Sequence, residues 1–322
     1  MNQSHLAEPE PYEPPKSDAI ASAQNTLPAL RLLLAQRRLY AYAKRWAFLR
    51  TIGISVIAVA APIVTAVSPR TSVVVGAVAA LWIFLARTVF VGREHGKASS
   101  AAEVQEQFDV LVFQMPQVAL RDPHVGPEEI SDLVGPDEKA EADARGERLV
   151  DWYPIDVDIA GAESIAIAQR ANASYSERLQ RANANVWLGL TCGWALVAVV
   201  VSLQLDLTFA QFLLGVAIPL LPALLDVYEQ WRAIKSASQE RRAIADGIER
   251  LIREEDGRPV TGQDLLVWQD QLYSLRRKEP QVPKLVYGRT RKKNELAMNA
   301  AASELANAAK ANATHRQGPG SA

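Results

Sequence analysis

Four long stretches of the chain carry no charged side chain, and they limit its possible folds more than any other feature. They cover residues 51–69, 71–86, 182–205 and 207–225. A helix needs ~18 or more mostly apolar residues to cross the ~30 Å hydrocarbon core of a bilayer. Three stretches reach that length, and the second reaches it by including Arg87 and continuing to Gly92. The sequence therefore predicts four transmembrane helices, with a soluble protein of four buried core helices as the alternative.

Basic residues beside these stretches predict their orientation. The outer turn between the first two offers only Arg70, and the turn between the last two has no basic residue. All the other flanks are basic, and the positive-inside rule places such flanks in the cytoplasm. We therefore expect two helical hairpins, with both termini and the long 93–184 segment cytoplasmic. The flanking cations are Arg31, Arg37, Arg38, Lys44, Arg45, Arg50, Arg93, Lys97, Arg178, Arg181, Arg232 and Lys235.

Proline, glycine and helical spacing divide the remaining chain, and no strand alternation of useful length occurs. The sequence predicts a mostly α membrane protein with helical cytosolic segments before, between and after the hairpins. A helix from about residue 160 should run unbroken into the third span. The predicted parts are a disordered N-terminus (1–17), a cytosolic helix (18–50), transmembrane hairpin 1 (51–92), a cytosolic region (93–184), transmembrane hairpin 2 (185–226), a cytosolic helical region (227–293) and a C-terminal tail (294–322).

The cytosolic segments differ in charge. Residues 98–168 hold 16 acidic against 4 basic residues, a net of −12, and residues 276–293 hold 8 basic against 1 acidic residue, a net of +7. Opposite charge favours docking of the two segments, although each could equally be a solvated face.

Catalytic and metal-binding patterns do not stand out in the sequence. The single Cys192 lies inside the third apolar stretch, and the four histidines are scattered without a second ligand at metal-binding spacing. There is no Gly-rich phosphate loop and no nucleophile with a base at characteristic spacing. We therefore predict a protein that is not an enzyme and that carries no metal or cofactor.

Several sequence blocks carry a family resemblance. "LLAQRRLYAYAK" precedes the first apolar stretch and "VQEQFDVLVFQMP" follows the second. "LVDWYPIDV" leads to "AIAQRANASYSERLQRANANVW" at the third, and "QDQLYSLRRKEPQVPKLVYGRTRKKNELAM" lies near the end. In this order around four spans, the chain resembles the SMODS-associating four-TM effectors (S-4TM), from about residue 29 to residue 310.

The resemblance implies an effector of bacterial cyclic-oligonucleotide-based antiphage signalling (CBASS). In such a system a neighbouring nucleotidyltransferase makes a cyclic oligonucleotide, which binds the cytosolic part of the effector. The spans then permeabilise the inner membrane and the infection is aborted. We accordingly expect a multi-pass protein of the bacterial inner membrane and a homo-oligomer. Its partners would be the lipid bilayer and the messenger, and not DNA or RNA.

A cyclic oligonucleotide needs cations for its phosphates and flat surfaces for its bases. Eight residues that match the family blocks supply such groups and are the candidate messenger contacts. Each has an alternative role, since the aromatics could fill the cytosolic core and the arginines could meet lipid headgroups or the acidic segment. The candidates are Trp152, Tyr153, Arg170, Arg178, Arg276, Arg277, Tyr287 and Arg289.

Polar residues are sparse in the apolar stretches: Ser55, Thr65, Ser72, Thr191, Ser202, Gln204, Thr208 and Gln211. This favours membrane disruption, or a pore made by an oligomer, over a selective channel within one chain. Gly189 and Gly193 have the small-xxx-small spacing that lets membrane helices approach, either within the chain or between protomers. The alternative function is a non-conducting scaffold that anchors a soluble partner through the charged cytosolic regions.

Overall fold

The computed structural model describes residues 11–67, 70, 72–116, 124–204, 208–213, 218–254, 258–278 and 280–317. The described residues are 84% helical, and no strand occurs among them. The helices are α1 (Ser17–Ala23), α2 (Leu27–Val67), α3 (Ser72–Leu85), α4 (Val91–Phe113), α5 (Pro127–Val134), α6 (Asp137–Gly146), α7 (Gly161–Gln204), α8 (Phe209–Phe212), α9 (Ile218–Arg253), α10 (Gly262–Lys278) and α11 (Lys284–Gln317). A π-helical turn, Ala86–Phe90, joins α3 to α4 without a break.

Four long helical rods continue from the apolar stretches into the polar part of the chain. They are α2, α3 with α4, α7 and α9. Helix α7 has 44 residues and therefore a length of about 66 Å, roughly twice the thickness of a bilayer core. The predicted continuity between the cytosolic helix and the third span is confirmed. A movement at one end of such a rod can reach the other end.

Two antiparallel pairs of rods organise the bundle. Helix α2 packs along α4 and α7 packs along α9, while α10 lies against α4 and α7, and α11 against α7 and α9. Helices α5 and α6 pack on α2. The polar half of the bundle has one main hydrophobic core, whose fully buried members come from nine of the described helices. They include Ile20, Leu33, Phe108, Ile165, Ile248, Leu272 and Leu305.

Among the described residues, two helical segments are long and apolar enough to cross a membrane, Val73–Phe113 and Gly161–Gln204. Their most apolar windows are only 6% and 7% buried within the molecule. The core helix of a soluble protein would instead be mostly buried, so these surfaces need an apolar environment outside the chain. The two other spans remain predictions. Residues 1–10 of the predicted disordered segment and the outer turn at Asp206 lie outside the described residues.

Residues 11–17 differ from the disordered N-terminus that the sequence predicts. Residues 11–16 form an extended strap before α1 begins at Ser17, and Tyr12 Oη donates a hydrogen bond to the Phe113 carbonyl at 2.5 Å. The strap passes so close to α7 and α10 that only glycine fits at their first residues. A Cβ on Gly161 would lie 1.7 Å from the Pro15 carbonyl oxygen, and one on Gly262 would lie 1.9 Å from that of Tyr12. Composition suggested disorder because these contacts depend on chain segments far away in sequence.

Two predicted boundaries also differ. A turn at residues 24–26 splits the cytosolic helix 18–50 into α1 and the beginning of α2. The boundary between 293 and 294 falls inside α11, which is continuous through both predicted parts. Ala302, Ala306 and Ala309 of this tail are buried in the core, and α11 packs against α7. The C-terminal tail is therefore a structural member of the bundle.

The acidic segment is held mainly by the arginines of α2. Arg31 pairs with Asp137 at 2.6 Å, and Arg38 pairs with Asp143 at 2.6 Å. Arg37 also reaches Glu147, at 3.2 Å. Arginines from the flank of the first uncharged stretch therefore hold α6 against α2.

Candidate functional site

A pocket of about 220 Å³ opens between α7, α9 and α11 in the polar half of the bundle. Four arginines and two carboxylates supply its charged groups, and short side chains supply much of its floor. Its lining consists of Arg170, Ser174, Glu177, Arg178, Arg181, Arg242, Ala245, Asp246, Ala297, Met298 and Ala301. With a formal charge of +2, the lining suits an anionic ligand.

Helical spacing explains the arginine face of this pocket. On α7, Arg170, Ser174, Arg178 and Arg181 follow one another at intervals of four, four and three residues, which places them on one side of the helix. The facing positions of α9 and α11 carry alanines, whose small side chains leave the space open. The pocket thus results from the arginine face of α7, together with Arg242 of α9, beside small residues of α9 and α11.

The arginines of the pocket differ in how firmly they are engaged. Arg181 lies 3.3 Å from Glu177 and Arg242 lies 3.6 Å from Asp246, but both arginine side chains are more than half exposed. Both arginines are therefore held weakly, because water competes for their charges. Arg178 has no ion pair within the described part of the chain. These three guanidinium groups can therefore turn towards a ligand at little cost.

Arg170 is held more tightly and connects all three helices. It donates to Glu249 at 2.6 Å, while its Nε is buried without a hydrogen-bond partner among the described residues. Glu249 also accepts from Arg253 at 2.9 Å, and Arg253 donates to Glu304 at 2.8 Å. Burial alone would raise the pKa of Glu249, but the hydrogen bonds and charges of the two arginines outweigh it and lower the pKa. This relay runs from α7 through α9 to α11.

A second polar assembly lies inside the bundle, centred on Asp109 of α4. Asp109 accepts hydrogen bonds from Arg276 at 2.6 Å, from Gln269 at 2.9 Å and from the Tyr153 hydroxyl at 2.6 Å. Glu106 accepts from Gln269 at 2.7 Å and lies 3.7 Å from Arg276. We call these five residues the Asp109 cluster. It joins the acidic and basic segments, as the sequence suggested, through the buried Arg276, while Arg277 reaches the same segment at Ser99.

Burial makes the Asp109 cluster a fixed structural element. The side chains of Arg276 and Asp109 are 4% and 1% exposed. Burial alone would lower the pKa of Arg276, but the negative groups that face it, Asp109 foremost, hold the pKa above its ordinary value. Burial also raises the pKa of Tyr153. Arg276 therefore stays charged and Tyr153 neutral, which keeps the hydrogen-bonding pattern intact.

The comparisons with known proteins settle the family. The sequence model described as the SMODS-associating 4TM effector domain matches residues 18–305, most of the chain. The chain belongs to this family. The family predicted from the sequence blocks is thus confirmed. No match to the chain was found among the curated proteins or among the solved structures.

Family membership confirms several predictions in coarser form. An S-4TM protein is a membrane effector associated with SMODS-type signalling systems, and such systems contain a nucleotidyltransferase. The family is one of effectors and not a known enzyme family. Together with the exposed apolar helices, this makes the chain a helical membrane protein.

The structure distributes the eight predicted contact residues of this S-4TM effector over several places. Arg170 and Arg178 meet in the pocket, whereas Tyr153 and Arg276 belong to the buried Asp109 cluster and do not face a ligand in this conformation. Tyr153 also stacks on Phe113, with ring centroids 5.3 Å apart. The packing alternative for this aromatic side chain agrees with the structure.

The remaining four candidates lie away from both assemblies or at their edges. Trp152 is 36% exposed, and Arg277 is exposed with its Nε donating to Ser99 at 3.0 Å. Tyr287 packs at the N-terminal end of α11, where the Lys44 ammonium lies 5.3 Å from its ring centroid. Arg289 is exposed on α11. None of the four lines the arginine pocket.

Sequence reasoning missed Arg181, Arg242 and Glu249 as members of this site. The spacing of Arg170, Arg178 and Arg181 on one face of a helix was a signal that could have found Arg181. Arg242 and Glu249 gave no such signal, because their place opposite α7 depends on how α9 pairs with it.

Proposed function

We propose that this S-4TM protein is an antiphage effector that a cyclic oligonucleotide activates at the arginine pocket, and that it then disrupts the bacterial inner membrane. The observation that carries the proposal is the course of α7 and α9. Both helices line the pocket, and both continue unbroken into the apolar stretches. A ligand that moves one against the other in the cytosol would also move the membrane helices.

The chemistry of the pocket supports a phosphodiester ligand. Guanidinium groups bind phosphate oxygens through paired hydrogen bonds, which are stronger than those between neutral groups. Arg178, Arg181 and Arg242 provide such groups without first breaking a strong ion pair. The volume of about 220 Å³ is below the roughly 300–1,000 Å³ of pockets that enclose a drug-sized ligand. One phosphate with its neighbouring sugar or base would enter, and the rest of the ring would lie on the surface.

The Arg170 relay is the proposed route from ligand to membrane. A phosphate in the pocket competes with Glu249 for Arg170, whose Nε has no hydrogen-bond partner in the described part of the chain. Release of Glu249 weakens the connection between α7 and α9 and changes the partner of Arg253. The two rods can then shift along each other. This is a change between two sets of ion pairs that the ligand biases.

The membrane part of the proposal comprises four spans in two hairpins, with both termini in the cytoplasm. We propose that activated protomers associate as homo-oligomers and breach the bilayer together. A Cβ on Gly189 or Gly193 would meet no atom within 4 Å, so no other part of the described chain packs against these glycines. That leaves their close-approach face available to a second protomer.

Dye leakage from proteoliposomes tests the proposal. The full chain should release dye only when a cyclic oligonucleotide from a panel of cyclic di- and trinucleotides is added. The double variant R178Q/R242Q should need about tenfold or more messenger, because charge-assisted hydrogen bonds contribute about 1.5–3 kcal/mol each. The matched control K139Q/R250Q removes two exposed cations outside the pocket and should leak like the unaltered chain.

Intact vesicles across the whole panel would contradict the effector proposal and favour the non-conducting scaffold. Messenger-dependent leakage that R178Q/R242Q leaves unchanged would keep the effector but exclude the arginine pocket as the messenger site. Both results are informative only if the variants insert in the vesicles as the unaltered chain does, which flotation of the proteoliposomes checks.

A further inference from the structure

The first turns of α11 separate their basic residues into two faces. Arg291 points inward, where it pairs with Glu295 at 2.6 Å and lies 5.9 Å from the ring of Tyr287. Arg289, Lys292 and Lys293 point outward and are exposed, and none has an ion pair within the described ranges. Intervals of three and one residues place these three on one side of the helix. We call them the α11 basic face.

Packing places the beginning of α11 at the cytoplasmic surface of the bilayer. Val286 and Leu179 belong to a small hydrophobic cluster against which Ala182 packs. Ala182 is the first residue of the third uncharged stretch. On the other side, Lys44 reaches Tyr287 from a position seven residues before the first uncharged stretch, about 10 Å along α2. The contacts with α7 and with α2 therefore place the beginning of α11 independently at the same depth relative to the membrane.

The direction in which α11 runs determines that the side chains of the basic face lean towards the membrane. The helix runs away from the bilayer, since Met298 lines the arginine pocket and Lys310 pairs with Asp156 at 3.0 Å, near the start of α7. Side chains of an α-helix lean towards its N-terminus. On α11 this is the membrane end, so the long side chains of Arg289, Lys292 and Lys293 lean towards the lipid headgroups.

We propose that the α11 basic face binds the phosphate headgroups of anionic phospholipids. Its residues lie three to seven positions beyond Val286, about 4 to 10 Å along the helix. This is close to the Debye length of ~8 Å in physiological salt, so each cation feels the negative surface. The inference goes beyond the proposed function, because it concerns the lipid and holds with or without a messenger.

A lipid-bound basic face would link membrane composition to the pocket. Helix α11 carries the basic face near the bilayer and, one or two turns further, Ala297 and Met298 at the pocket floor. Headgroup binding fixes the end of α11 and thus the position of that floor. The alternative partner for the α11 basic face is the exposed acidic surface of α5 and α6 on a second copy of the chain. The lean of the side chains towards the bilayer favours the lipid.

Hydrogen exchange of the full chain in lipid nanodiscs tests the inference. Discs of phosphatidylcholine are compared with discs that also contain phosphatidylglycerol, and exchange is followed at residues 284–296. We expect slower exchange in the phosphatidylglycerol discs, by about fivefold for each cation that engages the headgroups. High salt should abolish the difference. The variant R289Q/K292Q/K293Q should lose it too, whereas K139Q/R148Q/R250Q, with the same charge change far from the membrane, should keep it.

Equal exchange of the unaltered chain in the two kinds of disc would overturn the lipid assignment without using any variant. So would a phosphatidylglycerol effect that survives in R289Q/K292Q/K293Q, or one that the distant control loses equally. Protection that inorganic phosphate reproduces in phosphatidylcholine discs would point to a free anion. Protection that rises with protein concentration and ignores phosphatidylglycerol would assign the face to a second copy.

Discussion

The Asp109 cluster and the arginine pocket are built from the same kinds of side chain, arginines facing carboxylates, but their surroundings differ. In the cluster, Arg276 and Asp109 are almost completely shielded from water, and Asp109 also accepts hydrogen bonds from Gln269 and Tyr153. In the pocket, Arg242 and its partner Asp246 remain 64% and 59% exposed. Exclusion of water strengthens charge interactions and makes the loss of a partner expensive.

This difference assigns different roles to the two sites. The cluster joins α4, α10 and the loop before α7, and exchanging any partner there would leave a buried charge or donor unsatisfied. At the pocket, the ion pairs of Arg181 and Arg242 each lie within one helix and are already weakened by water, so a ligand can replace them. Arg170 and Glu249 link α7 to α9, and a ligand would compete for Arg170. We infer that α4 and α10 form the stationary half of the bundle and that α7, α9 and α11 form the half that responds to ligand.

The largest effect should follow from Asp109→Asn. The amide keeps the shape and can still accept from Tyr153, but it removes the charge that faces Arg276 at 2.6 Å. Glu106, at 3.7 Å, compensates only in part. Loss of one partner of a buried pair costs about 3–5 kcal/mol, and we expect the lower end here. The free energy of unfolding of the detergent-solubilised protein measures it.

Asp246→Asn is the matched control in the exposed pocket. It removes the same charge from a surface pair and should change the free energy of unfolding by less than about 1 kcal/mol. Equal losses in the two variants would show that exposure does not separate the sites, and the comparison would fail.

Gly262→Ala should have the next largest effect, because the strap packs directly against the beginning of α10. This variant tests how much that contact stabilises the half of the bundle that contains the Asp109 cluster. Gly262 begins α10, the helix that carries Gln269 and Arg276, and a Cβ there would lie 1.9 Å from the Tyr12 carbonyl oxygen. Crowding of this kind costs typically about 1–3 kcal/mol. Gly247→Ala is the control, since a Cβ there meets nothing within 4 Å and should stabilise α9 by up to about 1 kcal/mol.

Melting temperatures of the two glycine variants should therefore move in opposite directions. A Gly262→Ala protein as stable as the unaltered chain would mean that the strap can move aside without cost. Deletion of residues 1–16 should then also be neutral, which gives a second measurement of the same point.

Tyr153→Phe should have a smaller effect within the cluster. The ring stays stacked on Phe113, while the hydrogen bond to Asp109 at 2.6 Å is lost. A hydrogen bond to a charged group contributes about 1.5–3 kcal/mol, and Asp109 keeps its bonds to Arg276 and Gln269, so we expect about 1.5 kcal/mol. Chemical denaturation measures it. A loss as large as that of Asp109→Asn would mean that the tyrosine hydroxyl, and not the ion pair, holds the cluster.

The sequence predicted the helical rods well, because uncharged stretches and their basic flanks are local signals. It also predicted attraction between the acidic and basic segments, but not that Arg276 alone of the basic segment's charges would enter the core. The π-helical turn Ala86–Phe90 and the strap contacts of Gly161 and Gly262 gave no local pattern. In physical terms, each of these depends on which helix lies opposite, which periodicity does not specify.

The site followed the same division. Arg170 and Arg178 were among the predicted contacts because they lie on a recognisable block, and the structure places both in the pocket. Tyr153 was chosen by the same reasoning and is buried under Phe113. An aromatic or an arginine in a family block does not reveal whether it faces a core or a pocket.

The smallest effect on stability should come from Arg178→Gln, which tests the pocket side of the comparison most directly. Arg178 has no ion pair within the described residues, so its removal should change the free energy of unfolding by less than about 0.5 kcal/mol. Its effect should appear only with ligand. A messenger that binds the folded state raises the melting temperature of the unaltered chain, and Arg178→Gln should show a clearly smaller rise.

Arg276→Gln should give the opposite pattern, with a large loss of stability in the absence of any messenger. If Arg178→Gln kept the full rise in melting temperature, the messenger would bind elsewhere. The division into a stationary and a responding half would then have to be drawn along other helices.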